Sequence, residues 1–302
     1  MNAKVDFTLS YVGNAADQHQ IDFYDVAEAL QGFQRSIALT ANLVLNGTII
    51  TQAPSLKNAK ILAVPPEAGS WKWTAILIAA THGFYTATTA DKDTVLSHMV
   101  RSTYDYVVSQ TLGFHIDFDS TLGKQYDELK KERPDQPPIN EANLDSLIEK
   151  CEGSIKSLHR PIIASKTASG ASIYTATGPD ITKISADLSR QSFEYVDVSL
   201  RDDRPAVFNG RVSSYNINTF KGRLFEFQQA RPIPFEMPDF ARTRANISLL
   251  TESLSANAID RTRGHGDLEI VGFAERSKTG RLKKFLVIDV RPSTFGPTVQ
   301  TY

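Results

Sequence analysis

The pattern closest to a metal site is the pentapeptide His115-Ile116-Asp117-Phe118-Asp119. Successive side chains of an extended strand point to opposite faces, so His115, Asp117 and Asp119 would share one face. Imidazole and carboxylate groups bind divalent cations, which makes a metal-dependent hydrolase or nuclease one hypothesis. A half-exposed structural strand has the same alternation, and that interpretation is favoured because antiparallel strands commonly alternate in this way. A metal would also need a further carboxylate from elsewhere.

A second pattern interleaves cations and aromatic rings in the last hundred residues. Small barrels bind single-stranded nucleic acid through aromatic platforms that lie beside cations. Alternate aromatics in a barrel strand normally face the core, however, so a basic face that docks a protein partner fits the same spacing. The candidate binding residues are Arg211, Tyr215, Lys221, Arg223, Arg281, Lys283 and Lys284.

Other catalytic signatures are absent. The chain has no GxxxxGK[ST] loop, no GxGxxG between a strand and a helix, and no GxSxG. Its single cysteine, Cys151, falls on the predicted buried face of a helix, where a thiol is normally unreactive. The sequence therefore predicts no catalytic residue and no cofactor.

Cysteine content and the first residues point to the cytoplasm. One cysteine cannot form an intramolecular disulfide, and such chains are ordinary in reducing compartments. The segment Met1 to Leu9 alternates like a strand and lacks the basic head and apolar run of a secretory signal. We therefore expect a soluble cytoplasmic protein.

One segment, Trp73 to Ala90, bears on membrane insertion because it contains no Asp, Glu, Lys or Arg. Its strongly apolar part, Ala75 to Ala80, is far shorter than the roughly 20 residues that span a bilayer. We expect no stable membrane span, and a membrane-perturbing effector is the third functional alternative.

Hydrophobic periodicity places these segments on helices and strands. Asp22 is a candidate N-cap of a long helix that Asn46-Gly47 would end. Further elements of the first domain are predicted at 4–10, 59–64, 70–78 and 172–176 as strands, at 93–112 and 140–158 as helices, and as a weak helical stretch after Asp180.

Beyond Asp202 the pattern changes to closely spaced strands. Strands are expected at 206–217, 222–227, 231–237, 267–275 and 282–290, with a helix near 242–258. Five short strands in about ninety residues favour a small closed barrel, because closure removes exposed edges. The fold class is thus α+β: residues 1–201 form a mixed helix and sheet domain, 202–292 a five-stranded antiparallel β-barrel with one inserted helix, and 293–302 a tail.

The sign of the net charge changes near the same position in the chain. Residues 1–200 hold 17 Lys and Arg against 23 Asp and Glu, whereas residues 201–302 hold 16 against 11. Oppositely charged parts make head-to-tail self-association a hypothesis.

The runs FNGRVSSYNINTFKGRLFEF, RPIPFEM and GDLEIVGFAERSKTGRLKKFLVIDV resemble the SH3-like barrel that closes a family of uncharacterised bacterial two-module proteins. Members of that family have an N-terminal α+β module and are sometimes encoded near phage-defence genes. The resemblance implies a fold and a biological setting, and it assigns no functional residue.

These observations rank three classes of function. The paired domains of opposite charge and the lack of a catalytic motif favour a non-catalytic binding or sensing component of a bacterial complex, which would recognise a protein or a nucleic acid. The metal-dependent enzyme built on His115, Asp117 and Asp119 is the first alternative, and the membrane-perturbing effector is the second.

Overall fold

The computed structural model describes residues 2–50, 56–64, 71–80, 91–116, 122–132, 134, 137, 139, 141–178, 180–229, 231–259, 266–276, 280 and 282–293. The chain divides into two compact units, 1–197 and 198–302, each with its own buried core. The sequence suggested a boundary four residues later, between 201 and 202. The short strand Leu200–Arg201 pairs within the second unit, which explains the earlier division.

The first unit is a five-stranded sheet with helices on one face. The strands are β1 Asn2–Val12, β2 Ala59–Val64, β3 Lys72–Ala80, β4 Gly170–Thr177 and β5 Asp180–Lys183. The helices are α1 Phe23–Asn46, α2 Val95–Thr111, α3 Lys124–Glu132, α4 Glu141–Ser157, α5 Arg160–Ile163 and α6 Arg190–Asp197. The strand order is β2-β3-β1-β4-β5, and all neighbouring strands are antiparallel.

The alternation of β1 decides which face of the sheet the helices cover. Val5, Phe7 and Leu9 are buried in the core, whereas the intervening residues point to the other face. Helix α2 contacts β1 and β4, and α4 packs on α1 and α2. The opposite side of the sheet, called here the open face, carries no helix of the described part of this unit.

Local signals positioned most elements of the first unit correctly. The Asp22 carboxylate accepts a hydrogen bond from the amide of Asp25 at 3.0 Å, which caps α1, and Gly47 ends the helix with φ 65°. The strand predictions for β1 to β4 and the helix predictions for α2 and α4 are confirmed within a few residues.

The structure differs from the sequence predictions in two places, after Asp180 and at helix α3. The stretch after Asp180 is first strand β5 and becomes helical only at Arg190, because β5 completes the sheet beside β4. Helix α3 was not predicted, since a nine-residue helix whose sequence is KQYDELKKE has too few apolar residues to show a period.

The second unit is a closed five-stranded barrel. The short strand β6 Leu200–Arg201 pairs with one end of β10 Leu268–Arg276, outside the barrel. The barrel strands are β7 Ala206–Asn216, β8 Lys221–Glu226, β9 Arg231–Glu236, β10 and β11 Leu282–Pro292, and helix α7 Arg244–Ile259 lies between β9 and β10. This confirms the predicted barrel with one inserted helix. Four of its pairings are antiparallel, as expected, but β9 and β11 pair in parallel to close it. The core contains the stacked rings of Phe208 and Phe285, with centroids 4.3 Å apart.

Helix α7 replaces a missing neighbour of β7. Strand β10 pairs with β7 only as far as Gly210. Beyond that point, Ser253 Oγ of α7 accepts a hydrogen bond from the amide of Val212 at 3.0 Å, and Asn257 Nδ2 donates to the Val212 carbonyl at 3.2 Å. Buried backbone groups need such partners, so these two polar side chains attach the helix to the barrel wall.

Among the described residues, no helix is both long and apolar enough to cross a membrane. The first eight residues of the Trp73 to Ala90 segment belong to strand β3, and residues 81–90 lie outside the described part of the chain. Residues 294–302 of the predicted tail also lie outside the described part of the chain.

Candidate functional site

The proposed metal-binding strand is only partly described. His115 is exposed, its Nδ1 lies 3.3 Å from Nε2 of Gln110, and residues 114–116 form no strand. Asp117 and Asp119 lie outside the described residues. Within the described ranges, no group of three or more His, Cys, Asp or Glu side chains could hold a metal ion. The alternation that motivated the metal hypothesis is therefore not seen at His115.

Two candidate binding residues of the barrel are core residues. Tyr215 is 9 % exposed and Arg223 only 3 %. The Tyr215 ring stacks on Phe235 with centroids 6.2 Å apart, and its hydroxyl donates to the sulfur of Met237 at 3.5 Å. Burial raises the pKa of Tyr215, and the nearby Arg242 guanidinium opposes that shift. Tyr215 therefore offers no free face on which a base could stack, which corrects its assignment as a binding residue.

A β-bulge explains why the alternation misled. The register of β7 against β8 shifts between Val212 and Ser214, so that Ser214 opposes Arg223 and Tyr215 opposes Gly222. A bulge inserts one extra residue and reverses which side chains point inward from there on. The sequence gives no visible sign of that extra residue.

The remaining candidate cations are largely neutralised by neighbouring acids. Arg211 forms an ion pair with Asp267, and both side chains are mostly buried. Lys284 lies 3.3 Å from Glu236 and 3.5 Å from Glu275. Burial of Lys284 disfavours its charge, but those two carboxylates outweigh the burial and raise its pKa.

Lys221 belongs to the same row of charges on the outside of the barrel. Its Nζ lies 4.0 Å from the Glu236 carboxylate that also contacts Lys284. Lys283 Nζ donates to the carbonyl of Val198 at 3.4 Å. Arg281 lies outside the described residues. Cations and acids thus alternate across these strands, and the described candidates do not form a continuous basic strip.

A different surface of the barrel combines exposed apolar groups with a fixed arginine. We define the barrel-end surface as Ile217, Phe220, Phe240 and Arg242. The Arg242 guanidinium lies 4.3 Å from the ring centroid of Phe220, within the range of a cation–π interaction. The Arg242 Nε donates to the carbonyl of Met237 at 2.9 Å, and the Arg242 Nη1 forms an ion pair with the Asp239 carboxylate at 2.5 Å. Arg242 is therefore held in one orientation.

The apolar members of the barrel-end surface are unusually accessible. Ile217 is 68 % exposed and Phe240 is 66 % exposed. Ile217 lies in the turn between β7 and β8, and Phe240 lies in the short 3-10 turn Asp239–Ala241 that follows β9. The amide of Met237 donates to the carbonyl of Phe220 at 3.0 Å, which joins these two segments.

Hydrogen bonds within the β7 to β8 turn make it rigid. Asn216 Oδ1 accepts from the amides of Asn218 at 3.0 Å and Thr219 at 3.2 Å, and the Asn216 carbonyl accepts from Phe220 at 2.8 Å. Phe220 has φ 55°, a conformation that costs a bulky L-residue on the order of 1 kcal/mol. The surrounding contacts hold Phe220 in this strained conformation, directly beneath Arg242.

Sequence reasoning did not identify Phe240 or Arg242. Strands β8 and β9 separate these residues from the Phe220 turn, and no periodic pattern links them. Only the proximity of Arg242 to Phe220 in the folded barrel reveals the surface.

Comparison with known proteins agrees with the division into two units. The family model described as "Domain of unknown function (DUF7946)" matches residues 7–197, and the one described as "Family of unknown function (DUF7947)" matches residues 204–291. No curated protein and no solved structure matches the chain. Because the first model covers more than half of the sequence, the chain belongs to the DUF7946 family.

Proposed function

We propose that this protein is a non-catalytic binding component that recognises a protein partner through the barrel-end surface. The observation that carries the proposal is that two exposed apolar side chains, Ile217 and Phe240, lie on the two segments that the contact between Arg242 and Phe220 joins. Aromatic and arginine side chains dominate the energetics of protein interfaces, where a few residues supply most of the affinity.

Rigidity supports this assignment. A surface whose side chains are already held in place loses little conformational entropy when a partner binds. The turn around Asn216 and the hydrogen bond from Arg242 to Met237 provide that preorganisation.

Charge favours an acidic partner segment that also contains apolar side chains. The Arg244 side chain is exposed and has no ion-pair or hydrogen-bond partner among the described residues. It follows Arg242 by two positions at the start of α7. Complementary charge accelerates association and disfavours wrong partners, whereas Ile217 and Phe240 would contribute the buried area.

The barrel itself gives less support to a nucleic-acid partner. Tyr215 is buried, and Arg211 and Lys284 are paired with acids. A nucleic-acid groove would instead require accessible rings beside cations that follow a backbone. A protein partner is therefore the better interpretation of this domain.

The biological setting of the proposal comes from the resemblance described above. We place the partner complex in the bacterial cytoplasm and in antiviral defence. The single cysteine supports a reducing compartment.

The proposal is tested with the full chain by selecting binding segments from a displayed library of host and phage protein fragments. Affinities of the selected acidic, apolar-containing peptides are then measured by fluorescence polarisation. Phe240→Ala and Arg242→Ala should each weaken binding at least about tenfold, the effect of losing a central interface residue. Light scattering of the same samples tests the self-association that the opposite charges predict.

Ile259→Ala is the matched control. Ile259 is 83 % exposed but ends the 16-residue helix α7, which is about 24 Å long. This control should bind like the wild type. Selection of no acidic, apolar-containing segment, or selected segments that bind Phe240→Ala as tightly as wild type, would contradict the proposal.

A further inference from the structure

The open face of the N-terminal sheet gathers five lysines. Lys4 of β1 and Lys60 of β2 both lie opposite Ile78 of β3. Lys72 of β3 lies opposite Ser10, and Lys183 of β5 lies opposite Tyr174. Lys92 precedes α2 and reaches the same face, since its Nζ lies 2.6 Å from the carboxylate of Asp6. We call these five residues the lysine face.

Acidic groups on that face are fewer. Among the described residues, Asp6 and Asp187 are the carboxylates that contact lysines of the lysine face. Lys60 also has an interaction partner, and the five lysines outnumber the two aspartates that are seen to contact them, although residues 1–200 contain 23 acidic residues against 17 basic ones. Five lysines of the acidic unit therefore share one side of the sheet.

The exposed lysines lie on both sides of the sheet centre. Lys60 and Lys72 are exposed on β2 and β3, and the Lys183 side chain on β5 is 44 % exposed. The Lys72 side chain has no ion-pair or hydrogen-bond partner among the described residues. With neighbouring strands about 4.8 Å apart, the five strands from β2 to β5 span about 19 Å.

Hydroxyl groups and one aromatic ring occupy the centre. Thr8 and Thr74 share a hydrogen bond of 2.9 Å between their hydroxyls. Tyr174 lies directly opposite Thr8 and is partly exposed. The centre thus offers polar groups and a ring on the same face as the lysines at its margins.

We propose that the lysine face binds single-stranded nucleic acid. Lys60, Lys72 and Lys183 contact backbone phosphates, and the Tyr174 ring stacks on a base. This arrangement is the one by which an exposed sheet holds an unpaired strand, with stacking on a sheet aromatic and phosphates on surrounding cations. The width of the face is on the order of that needed for a site of several nucleotides. The inference is independent of the barrel-end surface.

The test measures fluorescence polarisation of labelled twelve-nucleotide oligouridine and oligothymidine with the full chain at 50 and 200 mM salt. Wild type should bind in a saturable manner and lose affinity with salt, because phosphate contacts release counterions. Lys60→Glu with Lys72→Glu should weaken binding at least about tenfold and flatten the salt dependence. Tyr174→Ala should weaken it about fivefold or more with little change in salt dependence.

Lys130→Glu with Lys150→Glu is the matched control. Both lysines are exposed on helices α3 and α4, and the double charge change is identical. Tryptophan fluorescence confirms that each variant is folded. The control should bind like the wild type. That result would show that the loss of binding depends on the lysine face and not on the net charge of the protein.

Three results would overturn the inference. The first is that neither oligonucleotide saturates the wild type at 50 mM salt. The second is that the control double variant weakens binding as much as the Lys60 and Lys72 double variant does. The third is that the protein binds neither oligonucleotide but is retained on a heparin column in a way that depends on Lys60 and Lys72. That result would assign the face to an anionic partner of another class.

Discussion

Nε2 of the buried His159 lies 2.9 Å from Oγ of Ser192. Nδ1 of the same ring lies 3.0 Å from the carbonyl oxygen of Ile155. A carbonyl only accepts hydrogen bonds, so Nδ1 carries the proton and Nε2 accepts from the Ser192 hydroxyl. Both ring nitrogens of a neutral imidazole are thereby satisfied inside the core.

Acid should destabilise the N-terminal unit through His159. Burial lowers the pKa of His159 to about 4, although backbone hydrogen bonds at Ile155 and Lys156 oppose the shift. The folded unit therefore favours the neutral ring: its stabilisation is complete above about pH 6.5 and is lost as the pH falls towards 4. The difference from the ordinary pKa corresponds to about 3 kcal/mol.

Urea unfolding at pH 7 and pH 4.5 measures this effect through the chain's two tryptophans, Trp71 and Trp73. In His159→Phe, whose ring does not titrate, most of the acid sensitivity should disappear. His98→Phe is the control, because His98 is partly exposed and pairs with the exposed Asp93. The same loss of stability in wild type and His159→Phe would show that other groups cause it.

Two helix glycines should respond oppositely to alanine. A Cβ at Gly32 of α1 would lie 2.4 Å from the carbonyl oxygen of Ser154 in α4, whereas nothing lies within 4 Å of a Cβ at Gly153. Gly32→Ala should lower the free energy of unfolding by about 1–3 kcal/mol, because overpacking forces the helices apart. Gly153→Ala should raise it by up to about 1 kcal/mol through helix propensity. Tryptophan-monitored urea unfolding compares them, and a stabilising Gly32→Ala would refute the close approach of α1 and α4.

Ser253→Ala should loosen β7. Removing its hydroxyl leaves the buried Val212 amide without its acceptor, which costs about 1–3 kcal/mol. Hydrogen exchange measured by mass spectrometry should become faster in peptides covering Ala206–Asn216. Ser248→Ala on the same helix is the control, because Ser248 is exposed and its hydroxyl donates to the Glu252 carboxylate at 2.7 Å, away from β7. Unchanged exchange in Ser253→Ala would exclude this role of α7.

Much of the fold could be predicted from local patterns. The alternation of β1, the apolar period of α1 and its Asp22 cap act over a few neighbouring residues, so they are visible in the sequence. The number of barrel strands follows from the same short-range signals. Helix α3 was not predicted because its sequence, KQYDELKKE, has too few apolar residues to show a helical period.

The candidate sites depended on contacts between distant residues. Arg211 and Asp267 are 56 positions apart, and their ion pair removes a cation that the sequence made a binding candidate. The bulge near Ser214 turns Tyr215 into the core. Linear spacing cannot show either effect, because each follows from which strands become neighbours.

For the two proposed surfaces, too, the sequence determined some features and the tertiary structure determined others. Composition and periodicity alone indicated two modules, the barrel and the charge difference between them. The strand order β2-β3-β1-β4-β5 collects lysines from positions 4 to 183 on one face, and barrel closure brings Arg242 over Phe220. Strand pairing and side-chain packing join residues that are remote in the chain, and tertiary structure alone decides which of them meet.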